Sequence, residues 1–215
     1  MIVNIWLLPL AVLLLWFPRQ WLRFGKKLNL ARPHRRRSEK EVRDAEDISL
    51  RLRDEFRKVR NWVDLVRAAV GSIGLCVVCF NIAPDAPKNT PVTIFLIQTA
   101  VLVVAVLIQT VRVQPRLTLV APVFFVLGLS FGLVGWPAAL LACVAIWALN
   151  LVLPSAGYFL FFFAGLEVSF GLLLGWEGRP SIISAAVLAL IPILLSAVTN
   201  RRLVQLNRKT RIVRA

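Results

Sequence analysis

Among its 215 residues the chain has three cysteines, one histidine, one methionine and one tyrosine. Cys76, Cys79 and Cys143 all sit in apolar stretches, which excludes a disulfide-stapled extracellular domain. The Cys76-x-x-Cys79 spacing lacks the polar, exposed setting that redox thiols need, and Cys143 cannot complete a zinc site with them. The only histidine, His34, lies in an arginine-rich segment, so the apolar part has no base for a serine-type triad and no histidine for haem. Asn-x-Ser/Thr acceptors are absent as well. Acidic residues number 11 against 26 Lys and Arg. Outside 32–67 no Asp, His and Arg cluster of the kind a lipid-modifying enzyme would use is found.

What the chain has in abundance is hydrophobic length. It is 58% hydrophobic, against about 45–50% for a soluble domain. A helix of roughly 20 apolar residues crosses about 30 Å of hydrocarbon, and about 17 is the lower limit. Six such stretches follow one another: Leu65–Ala83, Pro91–Val111, Leu117–Val134, Pro137–Leu153, Ala156–Trp176 and Ser181–Thr199. Pro91 and Pro137 suit helix starts, whereas Pro122 and Pro192 fall inside spans and should kink them. The run Ile2–Phe17 is shorter and contains Pro9. Its positive charge comes after the apolar run, unlike a signal peptide. It reads as a short span with its N-terminus outside or as an interfacial helix.

The net charge of +15 is unevenly placed. Positive charge gathers in 19–37, at Arg112 and Arg116, and in 201–215, while acids and bases balance between 38 and 67. Strict alternation of the spans puts all three basic segments on one face, which the positive-inside rule assigns to the cytoplasm. The expected organisation is a membrane segment (1–18), a basic and amphipathic segment (19–64), a six-span bundle (65–200) and a basic cytoplasmic tail (201–215). The fold class expected is an all-α, multi-pass membrane bundle with six firm spans and a short N-terminal one. A bacterial inner membrane is the expected location.

Within 19–37, Arg19, Trp21, Arg23, Lys26, Lys27, Arg35, Arg36 and Arg37 mix aromatic and basic side chains beside a membrane segment. That mixture suits anionic lipid headgroups rather than nucleic acid. Ser38-Glu-Lys-Glu41 is a capping box. Apolar positions from Val42 to Val66 then recur at helical spacing, so one helix is expected from Ser38 without a break into the first long span.

Glu167 is the sharpest candidate site. It is read as an acid near the middle of a span, expected to be neutral and hydrogen-bonded, with no basic residue in the spans to pair with it. Gln98, with Thr99 beside it, lies at a similar depth and is the expected partner. Gly128-Leu-Ser-Phe-Gly132 resembles a nucleophile elbow, but a histidine is lacking and Ser130 falls near the opposite end of its span. Gly128, Gly132 and Gly135 read instead as a smooth helix face, as do Gly165 with Ser169 and Gly171 with Gly175. The aromatic run Tyr158–Phe163 reads as lipid-facing, and Asn81 and Asn150 are expected to reach water. No cofactor or metal is expected. The functional expectation is a non-enzymatic protein acting by association, with anionic lipids and membrane subunits or a second copy as partners. The alternative is a small transporter or channel with Glu167 as its proton- or cation-sensitive group.

Overall fold

The computed structural model describes residues 2–18, 55–82, 84, 87–113, 117–150, 152–153, 155–174, 179–200 and 203–204. These are mostly helical. The helices are α1 (Leu7–Trp16), α2 (Val59–Ile73), α3 (Thr90–Thr110), α4 (Val123–Leu133), α5 (Trp136–Leu149), α6 (Ala156–Leu174) and α7 (Arg179–Val198). A π-helical turn, Gly74–Val78, extends α2. Four helices are long and apolar enough to cross a membrane: Val59–Val78, Thr90–Thr110, Ala156–Leu174 and Pro180–Val198. α1, α4 and α5 are apolar but shorter.

The described residues are mostly helical, as expected for an all-α bundle. Short strands of two to four residues join some helix ends. β1 (Ile2–Val3) pairs antiparallel with β2 (Phe80–Asn81). β3 (Val111–Val113) and β4 (Leu117–Val120) pair antiparallel, and β5 (Leu203–Val204) lies parallel to β4.

Two expected helices are revised. The stretch from Leu117 to Val134 is not one span: Leu-Thr-Leu-Val runs as strand β4, and α4 begins only after Pro122. Thr and Val favour extended backbone, and proline is tolerated at a helix start but not inside. Pro122 is therefore the cap of α4 rather than a kink, whereas Pro192 does lie within α7. The unbroken helix expected from Ser38 is interrupted at Lys58, whose backbone is extended (φ −84°, ψ 101°). A local clasp holds that break. Asn61 donates through Nδ2 to Glu55 O at 3.0 Å and to Glu55 Oε2 at 2.6 Å, and Lys58 pairs with Glu55. Ser38 itself lies outside the described residues.

Helix directions follow from side-chain neighbours. Ala11 and Leu15 of α1 face Gly74 and Gly71, so α1 runs antiparallel to α2. Gln109 of α3 meets Arg67, while Gln98 meets Leu75, so α3 is antiparallel to α2 as well. α4 runs parallel to α2, with Gly128 beside Leu65 and Ala68 and Gly132 beside Ser72. α4 is apolar on every side, and it is correspondingly buried along nearly its whole length. α2, α5, α6 and α7 surround it. Phe124 joins Phe56, Trp62, Trp147 and Phe159 in a ring cluster, with the Phe56 and Trp147 centroids 4.9 Å apart.

Lipid tails give helices no hydrophobic reason to associate, so close approach of backbones supplies the attraction. Gly128 and Gly132 permit it on α4. A Cβ on Gly128 would stand 2.7 Å from the Ala68 Cβ and overlap Leu65 O, and one on Gly132 would overlap the Ser72 carbonyl. Gly171 meets Ile182 of α7 in the same manner, at 3.0 Å. Gly135 serves a turn: its φ of 80° suits glycine at the sharp α4–α5 corner. The Gly165–Ser169 face makes no such contact, because nothing lies within 4 Å of a Cβ on Gly165 and Ser169 is exposed. Gly175 is outside the described residues. Overpacking of this kind costs about 1–3 kcal/mol or more. Gly132→Ala is expected to lower the unfolding free energy in detergent by that amount, read as a lower denaturant midpoint, with Gly165→Ala not lowered. Equal midpoints for the two variants would mean that the α2–α4 contact is not under constraint.

Candidate functional site

Besides the Glu55–Asn61 clasp, two buried polar centres stand out among the described residues. The first surrounds Glu167, which is 1% exposed on the α6 face that meets the other helices. Its Oε1 is hydrogen-bonded to the Ser130 hydroxyl of α4. Ser130 is fully buried, and its Oγ also lies 3.3 Å from Val126 O, one turn earlier. Glu167 Oε2 is buried and has no hydrogen-bond partner among the described residues. Cys143 of α5 is close enough to interact electrostatically with the carboxyl.

This arrangement corrects the expected pairing with Gln98. Gln98 instead donates to Leu75 O at 3.0 Å and to Cys76 O at 3.3 Å. Those carbonyls belong to the π-helical turn, where the usual spacing of backbone bonds is changed. Thr99 lies beside Gln98 on α3 and is half-buried. Ser130 is the residue that meets Glu167. Placing it near the far end of a span assumed that helix began at Leu117, and the strand start shifts every depth along that segment.

The second centre was not expected. Asp64 and Arg67 are 1% and 7% exposed, within Val59–Val78, one of the helices long and apolar enough to cross a membrane. Glu167 is therefore not the only acid inside such a helix, and a basic residue does lie within one. Arg67 Nε donates to Asp64 Oδ1 at 2.9 Å, and Nη2 donates to Gln109 Oε1 at 3.0 Å. Nη1 donates to Phe17 O and stands 3.5 Å from Leu14 O. Gln109 Nε2 adds donations to Phe17 O at 2.9 Å and Leu15 O at 3.4 Å. The guanidinium also lies 5.3 Å from the centre of the Phe125 ring, within cation–π range.

The geometry explains the choice of residues. The final carbonyls of any helix have no intrahelical donor. At the end of α1 they are met by a planar guanidinium with several fixed donors and by a primary amide. The carboxylate of Asp64 balances the charge. Arg67 falls at the end of the charge-balanced segment 38–67, among residues of both signs. The readable signal is Asp64-x-x-Arg67, spaced to share one helix face and flanked by apolar residues. Gln109, 42 residues away from Arg67, carries no local mark.

Other expected residues fall as follows. Arg19, Trp21, Arg23, Lys26, Lys27, Arg35, Arg36 and Arg37 lie outside the described residues. Asn81 is exposed, but Asn150 is 4% exposed and does not reach water from its helix end. In the aromatic run, Phe159 and Phe163 are buried and Tyr158, Phe161 and Phe162 are exposed, so only half of it faces outward. Among the described residues no group of three or more His, Cys, Asp and Glu is placed to hold a metal. No family model, curated protein or solved structure matches the chain.

Removing one partner of a buried ion pair costs about 3–5 kcal/mol. Arg67→Met is expected to destabilise the purified protein in detergent by that amount. Asp64→Leu combined with Arg67→Met should recover part of the loss, because no charge is then left buried. Unfolding midpoints measured for the single and double variants test this. A single variant as stable as the parent would show that the centre does not hold α1.

Proposed function

We propose that the chain is a non-enzymatic, multi-pass membrane protein that acts by association, as a subunit or scaffold of a membrane assembly. The carrying observation is where the buried polar groups go. Arg67, Gln109 and Gln98 all direct donors at backbone carbonyls of neighbouring helices. They join helices to one another, which leaves the outer faces as the working surface. One such face on α6 carries Gly165 with open space around it, bordered by exposed Phe161, Phe162 and Leu172.

In this reading α1, α4 and α5 complete a bundle of six spans plus a short N-terminal one. At about 1.5 Å per residue, α4 alone covers only about 17 Å. The extended residues before it, at about 3.3 Å each, bring the segment from Leu117 to Leu133 near the thickness of the hydrocarbon. Support for a shared basic side comes from three facts. The chain leaves α1 at the Arg67 end of α2, and α3 passes into β3 beyond Gln109 at that same end. β5 then pairs with β4 of the same sheet. The positive-inside rule makes this side cytoplasmic, and a bacterial inner membrane fits. Anionic headgroups are the expected lipid partners of the 19–37 segment.

Purification in a gentle detergent, followed by identification of co-purifying chains, tests the association. A stoichiometric membrane partner or a stable self-assembly is expected. Gly165→Leu is expected to weaken it without lowering the unfolding midpoint. A monodisperse single chain that transports a solute in liposomes would reverse the assignment.

A second reading, a small transporter or channel, is favoured by the buried Glu167 Oε2 atom that no described residue satisfies. It expects Glu167→Gln to abolish flux in proteoliposomes while the chain still folds. Unchanged flux in that variant would remove Glu167 from the pathway.

A further inference from the structure

The oxygen atoms around Glu167 can be read by counting hydrogens. Ser130 has one hydroxyl hydrogen and two acceptors in reach, Glu167 Oε1 and Val126 O. If the carboxyl were ionised, that hydrogen would be its only described donor. Oε2 would then hold charge in an apolar interior with nothing opposite it. An isolated ionised carboxylate in such surroundings is far costlier than a neutral polar group. If the carboxyl keeps its hydrogen, every short contact becomes a donor–acceptor pair. Oε1–H donates to Ser130 Oγ, Ser130 donates to Val126 O, and Oε2 remains as a neutral carbonyl oxygen.

The surroundings agree with the second arrangement. α4, α5, α7 and β5 pack against α6. From α4 the group met is Ser130, and from α5 the titratable group near the carboxyl is the Cys143 thiol. Between Pro180 and Val198, α7 carries no titratable side chain, and β5 is Leu203–Val204. The buried cation among the described residues, Arg67, is held by Asp64, Gln109 and the end of α1.

We infer that Glu167 and Ser130 form an intramembrane proton-binding site, with Glu167 donating through Oε1 to the Ser130 hydroxyl and Oε2 open to a further donor. Binding forms the O–H bond at Oε1 from a hydronium ion and returns one water molecule. The ligand is a proton. This deepens the transport reading by naming its ion, and it rests on that reading only in sharing Glu167. The site holds its proton whether or not the chain moves anything across a membrane.

Infrared spectroscopy of the full chain in lipid at neutral pH tests the assignment. A carbonyl stretching band of a protonated carboxylic acid is expected. It should vanish in Glu167→Gln and move to higher wavenumber in Ser130→Ala, where the hydrogen bond is lost. Should Glu167→Gln fail to fold, labelling the unaltered chain with carboxyl-13C glutamate identifies the band by its isotope shift. Absence of the band, or a band indifferent to the label and to Glu167→Gln, overturns the proton site. A band unmoved by Ser130→Ala overturns the pairing. A glutamate band without proton flux in proteoliposomes upholds the site and removes transport. Flux without the band removes the site and leaves transport standing.

Discussion

Hydrocarbon offers no partner to a carbonyl oxygen, so a chain within it must close its own helix ends. Arg67 does this for α1, and much of the bundle follows from it. α1 has only ten residues. Arg67 and Gln109 donate to its last carbonyls. Placing a guanidinium there demands a counter-charge, which Asp64 supplies one turn earlier on α2. The clamp in turn fixes three helices at one level, because α1, α2 and α3 each contribute an atom to it. Once those are set, the opposite end closes by backbone pairing, with β1 on β2 and Asn4 N–H on Cys79 O.

The second half of the bundle is organised by a different force. α4 carries no charge and one hydroxyl, and it approaches α2 closely at Gly128 and Gly132, with the Ser72 hydroxyl donating to Gly128 O at 3.4 Å and Arg67 over the Phe125 ring. Dispersion between close backbones adds to these few polar contacts. Ser130 marks where the two halves of the design meet. It is the polar residue of α4, and it faces the buried acid of α6. The polar side is specified by direction and the apolar side by shape.

Most of the helical layout was legible because hydrophobic run length is a local property. Thr90–Thr110, Ala156–Leu174 and Arg179–Val198 lie within a few residues of their expected limits. Failures came where a tertiary contact decides the outcome. The break at Lys58 depends on Asn61 binding Glu55, which periodicity cannot register. Leu117–Val120 is apolar enough for a span, and only its partners β3 and β5 make it a strand. Glu167 stood out because a lone acid among apolar residues is visible in one dimension. Its partner did not, since depth had been counted from a helix start that the strand displaced. Arg67 is masked by the many charges before it, and only its i,i+3 spacing from Asp64 among apolar neighbours sets it apart.

The parallel pairing of β4 with β5 sets an order of events during synthesis. A parallel ladder cannot be closed by a tight hairpin, and four helices separate Val120 from Leu203 along the chain. Until α7 has been laid down, β4 keeps one row of amides and carbonyls unzipped, an open template for any stray strand. Addition of β5 seals that seam. β5 therefore works as a clasp, and a chain released before Leu203 is made would hold α1 to α7 but leave this edge sticky.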